Sequence, residues 1–301
     1  MNVLITGGTG LVGKEISQIL LQKGHTVSFL SRSPKTIPHI KVYHWDIEKQ
    51  EIDVEAIQKA DHIIHLAGAG VADKTWTDSY KKEILDSRIL STQLLYKTLK
   101  ENKNTVKSFI SASAIGIYGF DTGNTLLAED SLQGNDFLAD VTKQWEAEVQ
   151  KIQDFGIRTN ILRIGIVLSN KGGALPKMMQ PIKFWAGAPL GSGQQYLSWI
   201  HIRDLANMFL YGIENPHIQG IYNAVASKPI SNKVFTENLA KVMQKPLFLP
   251  NVPSFVLKAM LGEMGVMILG GNNVSNSKII ESGFQFEFDD IEKALSDLVQ
   301  S

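Results

Sequence analysis

The 301-residue sequence contains no cysteine. That excludes disulfides, thiolate metal sites and a thiol nucleophile, and leaves the redox compartment open. Excess charge of either sign is also missing: thirty Lys and Arg balance thirty Asp and Glu. Such a balance points to no nucleic-acid partner and no anionic membrane. The most apolar late stretch, 255–269, is broken by Lys258, Glu263 and two glycines, so it does not read as a membrane span. The first strand is expected from Asn2, leaving no room for a signal peptide, and a cytoplasmic protein is expected. Two local absences carry more chemistry. No Asp or Glu lies between Glu15 and Asp46, and no Tyr between Tyr118 and Tyr196.

What is present suffices for a large core, with 44% apolar residues forming one large domain or a domain plus a lobe. Val3-Leu4-Ile5 reads as a buried strand that breaks into Gly7-x-x-Gly10-x-x-Gly13. Apolar residues then recur at helical spacing through Leu11, Val12, Ile16, Ile19 and Leu20. Strand, glycine turn and helix in that order build a phosphate cradle, with backbone N–H groups and the positive end of the helix dipole aimed at one spot. Gly7 permits the tight turn, Gly10 lets backbone approach a pyrophosphate, and Gly13 lets the helix pack against the sheet.

The second strand, Thr26 to Leu30, runs into Ser31-Arg32-Ser33 and Lys35. An NAD site usually carries an acid at this distance from the glycines, to hold the ribose 2′-hydroxyl. An arginine fork with hydroxyls and no carboxylate suits a 2′-phosphate instead, and NADP(H) is the expected cofactor.

Further strands are expected at 42–45, 61–66, 106–111, 158–163, 196–202 and 221–224. Helices are expected at 53–59, 78–101, 137–152 and 205–213. Alternating strands and helices predict an α/β fold with a doubly wound parallel sheet of Rossmann type. Residues 1–168 and 194–224 are assigned to that domain, and 169–193 with 225–301 to a smaller, C-terminal substrate lobe. His62 and His65 form an H-x-x-H pair, but three residues apart on a strand they face opposite ways, which disfavours a metal site. The glycine-rich loop 68–77 leaves the carboxyl end of a strand, where such sheets bind ligands; in it Lys74 and Trp76 either cover a substrate or are surface residues.

Several blocks together resemble the extended short-chain dehydrogenase/reductase superfamily, the epimerase and dehydratase relatives. They are Thr6-Gly7-Gly8-Thr9-Gly10-Leu11-Val12-Gly13, His65-Leu66-Ala67-Gly68, the 111–119 block ending in Tyr118-Gly119, Leu162-Arg163, and Trp199 to Ala206. Ala72-Asp73-Lys74-x-Trp76, Asp86-Ser87-Arg88, Trp145-Glu146 and Gly191 to Tyr196 are similar to the atypical branch labelled nucleoside-diphosphate-sugar epimerases. The resemblance implies that Gly7, Thr9, Gly10, Leu11 and Val12 cradle the pyrophosphate and that Ser31 and Arg32 hold the adenosine phosphate. It also implies that Asp46 touches the adenine, that Leu66 and Ala67, running into Gly68, line the ribose, and that Val167 falls near the nicotinamide. Glu83 and Arg88 sit on the long helix, where relatives place an asparagine close to the cofactor; alternatively they are plain surface charges.

The chain departs from the superfamily at its acid/base. Relatives use Tyr-x-x-x-Lys on the helix after the 106–111 strand, the lysine lowering the tyrosine pKa. Aligning on Glu146 puts Leu138 and Thr142 in those places. The one Tyr-x-x-x-Lys, Tyr96 to Lys100, lies on the preceding helix. Tyr118 is then the first candidate acid/base and Ser113 its candidate partner, with Asp140, Lys143 and Lys74 as other groups to recruit. Two functions follow: an NADP(H)-dependent oxidoreductase or epimerase acting on a small carbonyl or hydroxyl compound, or a silent NADP(H)-binding regulator or redox sensor. A nucleotide-sugar substrate is disfavoured because no arginine follows Arg203 to clamp its pyrophosphate.

Overall fold

The computed structural model describes residues 1–300. An eight-stranded sheet draws its strands from residues 2–224. Its strands are β1 (Asn2–Thr6), β2 (Thr26–Ser31), β3 (Ile40–Asp46), β4 (Glu51–Ile52), β5 (His62–His65), β6 (Ser108–Ala114), β7 (Arg158–Ile164) and β8 (Gly220–Ala224). They lie in the order β8-β7-β6-β5-β1-β2-β3-β4. β1 pairs in parallel with β2 and β5, β2 with β3, and β5 with β6, while β4 closes the edge antiparallel to β3. The order reverses at β1, and that switch point sets where ligands bind in a doubly wound sheet. The central strands are buried on both faces, as Val3, Leu4, Ile5, Ile63, Ile64, Phe109 and Ile110 show by having no exposure.

The crossover helices include α1 (Leu11–Gln22), α2 (Val54–Gln58), α3 (Asp78–Glu101) and α4 (Phe137–Gln150). Asp53 caps α2 through the Glu55 N–H, and Thr77 caps α3 through the Tyr80 N–H. α3 buries Tyr80, Ile84, Ser91 and Leu95, a stripe at helical spacing.

The chain divides into two compact units. The first holds residues 1–113, 141–163 and 206–222; the second holds 114–140, 164–205 and the chain from Asn223 onward. In the second unit the expected single strand at 196–202 is two short strands. Tyr196–Leu197 pairs antiparallel with Ile230–Ser231, and Trp199–His201 pairs parallel with Ile166–Leu168. Ser198 breaks the run, because its hydroxyl donates to the Asn272 carbonyl at 2.6 Å and accepts the Val274 N–H at 3.1 Å. A helix, Ala174–Lys183, occupies the glycine- and proline-punctuated stretch that periodicity left unassigned; Leu175 and Ile182 anchor it.

One ion pair lies within the core of the first unit. Arg163 on β7 grips Glu146 on α4 in a two-point fork, Nε and Nη2 each at 2.9 Å, and both side chains are buried. The Ser113 hydroxyl donates to the same carboxylate at 2.5 Å. Removing one partner strands a charge in the interior, a loss far larger than the net worth of the pair. Glu146→Ala is expected to lower unfolding free energy by about 3–5 kcal/mol in urea titrations. The double change Glu146→Met with Arg163→Met is expected to recover most of that loss.

Candidate cofactor site

The site begins where β1 ends. Gly7 takes a left-handed φ of +69°, and a Cβ there would lie 2.9 Å from the Leu66 carbonyl carbon. A Cβ on Gly13 would fall 2.6 Å from both the Gly7 carbonyl oxygen and the Gly8 Cα. α1 therefore reaches the turn only because no side chain intervenes. The Gly10 N–H closes the turn on the Gly7 carbonyl at 2.9 Å. α1 then starts with no capping side chain and no acidic residue in its first turn. Its leading amides point their positive dipole end outward, the arrangement that receives a phosphate.

Thr6 fixes this turn to β5. Its hydroxyl lies 2.8 Å from His65 Nδ1 and accepts the N–H groups of Leu66 and Ala67 at 3.1 and 3.2 Å. His65 Nε2 in turn meets Thr92 Oγ1 on α3 at 3.0 Å. Burial, reinforced by the charge of Arg88, pulls the His65 pKa down to about 3, so the ring is neutral. His62 turns instead to Ser108, with Nδ1 and Oγ 2.7 Å apart. The two rings serve separate hydrogen bonds, and among the described residues no group of three or more potential metal ligands occurs.

A cavity of about 960 Å³ lies beside the turn. Gly7, Thr9 and Gly10 form its phosphate end, and Ser31 and Arg32 its wall at the tip of β2. Asp46 lines it at the end of β3, Leu66, Ala67 and Gly68 after β5, and Glu83 from α3. Leu11, Val12 and Gly13 sit in the first turn of α1, outside this lining. Val167 belongs to the second unit, where it pairs with Ile200.

Arg32 is exposed, and of the five arginines it is the one with no bonding partner among the described residues. Arg88 and Arg158 donate to backbone carbonyls, Arg163 grips Glu146, and Arg203 pairs with Glu287 and Asp297. Lys35, also on the cavity wall, has no carboxylate partner either. Asp46 is committed locally: one carboxylate oxygen accepts the Glu48 and Lys49 N–H groups, both at 3.0 Å. Those backbone bonds, with nearby Lys49, hold its pKa below the usual carboxylate value. Glu83 pairs with Lys74 at 3.1 Å.

Arg88 supports the wall from α3 rather than sitting free on the surface. It is half-buried, its Nη1 donates to Ala69 O at 3.0 Å and Ile84 O at 2.8 Å, and it lies over the Trp145 ring. Burial lowers its pKa to about 10, which leaves it charged at neutrality. Three more side chains tie the glycine-rich loop: Ser87 accepts the Ala69 N–H, Tyr80 donates to Gly70 O, and Trp76 donates to Val71 O. Trp76 is thereby buried as a loop anchor, while Lys74 remains on the cavity wall. Trp45 and Tyr80, which the sequence did not single out, also line the cavity.

The candidate catalytic hydroxyls are both engaged in packing. Ser113 is buried and donates to Glu146. Tyr118 is 3% exposed, packs with Ile117, Leu127, Val225 and Val274, and donates to Asn223 Oδ1 at 2.8 Å. That asparagine is itself held, its Nδ2 donating to Ser275 O at 2.9 Å. In this geometry Tyr118 is a core hydrogen-bond donor, and Ser113 serves the ion pair.

A parallel sheet reversing at β1, with an uncapped helix after a glycine turn, defines a dinucleotide-binding Rossmann fold. The cradle from which any Cβ is excluded fits a nicotinamide dinucleotide. The family model described as "NAD dependent epimerase/dehydratase family" matches residues 3–224, and a domain of unknown function, DUF1731, matches 252–298. The chain belongs to the NAD-dependent epimerase/dehydratase family, and at that level is an NAD(P)-dependent, epimerase-like protein. It is 39% identical to the epimerase family protein YfhF of Bacillus subtilis, over 99% of this chain and 98% of that one. The crystal structure of human epimerase family protein SDR39U1 with NADPH superposes with a TM-score of 0.89, at 29% identity over all of both chains. A nucleoside-diphosphate sugar epimerase from Corynebacterium glutamicum gives 0.81 at 30% identity, over 99% of this chain and 58% of that one. Among the described residues no helix is long and apolar enough to cross a membrane.

The neutral His65 makes stability pH-dependent. In the unfolded chain the ring takes a proton near pH 6.5, whereas the folded ring resists until about 3. Across that window the unfolded state holds more protons, so acidification destabilises the fold by about 1.4 kcal/mol per pH unit from this group. Urea titrations between those limits are expected to show a shallower pH slope for His65→Gln than for the parent chain, by about that amount.

Proposed function

We propose that the protein is an NADP(H)-dependent oxidoreductase or epimerase-like enzyme whose substrate is a small carbonyl or hydroxyl compound. The observation that carries the cofactor choice is the unpartnered guanidinium of Arg32, beside Lys35 and Ser31 at the tip of β2. A free fork and a second cation favour a 2′-phosphate over a bare ribose hydroxyl. Asp46, which lines the cavity at the next strand end together with Glu48, has one carboxylate oxygen turned to its own backbone. The NADPH carried by the similar human protein supports the same reading.

In this reading the Gly7–Gly10 turn and the first amides of α1 hold the diphosphate, and Arg32 with Lys35 holds the 2′-phosphate. Leu66 and Ala67 give an apolar wall, kept in place by Thr6 from within the sheet. When bound, the nicotinamide supplies or accepts hydride. The hydroxyls of the candidate proton partners, Tyr118 and Ser113, are bonded to Asn223 and Glu146. The second reading, a silent cofactor-binding regulator, is favoured by the same observation.

Arg32→Ala is expected to weaken NADPH binding by about 10- to 100-fold in calorimetry and to leave NADH affinity nearly unchanged. Equal affinity of the parent chain for both coenzymes would sink the cofactor assignment. Turnover is tested separately, with 4-deuterated NADPH and a library of carbonyl compounds. Deuterium transfer to a product is the expected result; binding without any transfer favours the regulator.

A further inference from the structure

Zero net charge conceals a segregated surface on the second unit. Within that unit, residues 164–203 and 238–262 contain no Asp or Glu. Lys177, Lys183, Lys245 and Lys258 lie in those two segments, and none has a carboxylate partner among the described residues. The segments also carry Phe184, Trp185, Phe248 and Phe255, each at least half exposed, with Met260. These four are the exposed aromatics of the described chain.

Backbone pairing brings the two segments side by side. The Val252 N–H donates to Pro189 O at 2.8 Å, and the Gly191 N–H to Val252 O at 2.9 Å. Lys245 Nζ stands 4.5 Å from the centre of the Trp185 ring. Lys177 and Phe184 are seven residues apart, two turns along and just past the Ala174–Lys183 helix, so they fall on one side of it. Phe255, Lys258 and Met260 follow on the helix Ser254–Leu261, whose buried anchor is Leu257. Trp185 itself holds a φ of +64°. For a bulky side chain that is a strained conformation, of the kind that persists where surrounding structure imposes it.

We propose that this face docks on the surface of a bilayer containing anionic phospholipid, with the aromatic rings at the headgroup level and the four lysines against the phosphates. Aromatic rings and lysines side by side suit the membrane–water interface. A second copy of the chain fits poorly, because its own unpaired lysines would face these. Membrane contact here revises the expectation drawn from net charge: what matters is local sign, since the attraction decays within a Debye length of about 10 Å at moderate salt.

Co-sedimentation of the full chain with vesicles of phosphatidylcholine alone, or with about a third phosphatidylglycerol, tests the proposal. Binding is expected to rise by about 10-fold or more with the anionic lipid and to fall at high salt. Phe184→Ser with Phe255→Ser, and separately Lys183→Gln with Lys245→Gln and Lys258→Gln, are each expected to reduce binding by about 10-fold. Leu132→Ser, at another exposed apolar site, is expected to bind like the parent. Unchanged thermal midpoints and NADPH binding would show that the variants are folded. No binding of the parent chain to anionic vesicles, binding that ignores the aromatic and lysine changes, or a dimer in sedimentation velocity that Phe184→Ser with Phe255→Ser dissolves would each overturn it.

Discussion

The close approach of α1 to the end of β1 is the constraint on which the rest of the first unit depends. Where a Cβ on Gly13 would stand, the Gly7 carbonyl and the Gly8 Cα already lie at 2.6 Å. Helix and strand can therefore meet only through bare backbone, and the helix must start where β1 stops. Thr6 then carries the constraint sideways. One hydroxyl joins β1 to the His65 ring and to the two amides that follow β5. His65 passes it on to Thr92 in α3. The phosphate cradle, the apolar wall at Leu66 and Ala67, and the helix behind them are thus positioned by a chain of short contacts rather than by a flexible loop.

The same logic explains why α3 is long and polar yet well ordered. Its residues Tyr80, Ser87 and Arg88 spend their polar atoms on the glycine-rich loop, satisfying backbone groups that a loop beside a cavity would otherwise leave to water. Arg88 is not equivalent to lysine in this role, because one guanidinium nitrogen bonds two carbonyls while the planar group lies on the Trp145 face.

The parts of the fold that were legible in the sequence are those set by local physics. The Gly7, Gly10 and Gly13 spacing, the capped 78–101 helix and the apolar strands each follow from steric or hydrophobic rules acting within a few residues. Arg32 was legible for a related reason: the missing acid at the tip of β2 is a sequence fact that needs no tertiary information. Ser198 shows where such reading stops. Nothing in Tyr196 to Ile202 announces a break, because it comes from Asn272 and Val274, more than seventy residues away. The engagement of Tyr118 and Ser113 escapes such reading in the same way. Residue type marks a hydroxyl as available, but its partners Asn223 and Glu146 lie far along the chain.

That contrast bears on what kind of site this is. Catalytic groups are usually held at some cost, exposed or poised with a shifted pKa. Here the polar groups nearest the expected chemistry are satisfied: Glu146 holds two arginine nitrogens and a serine, and Tyr118 closes a network through Asn223. Among the cations with unspent capacity are Arg32 and Lys35 at the cavity and the four lysines among the exposed aromatics. Such exposed cations are stabilised by water and stay available to an arriving anion. The interior hydroxyls and the carboxylate are thus consumed by the fold, while the cations on the cavity wall remain open to solvent.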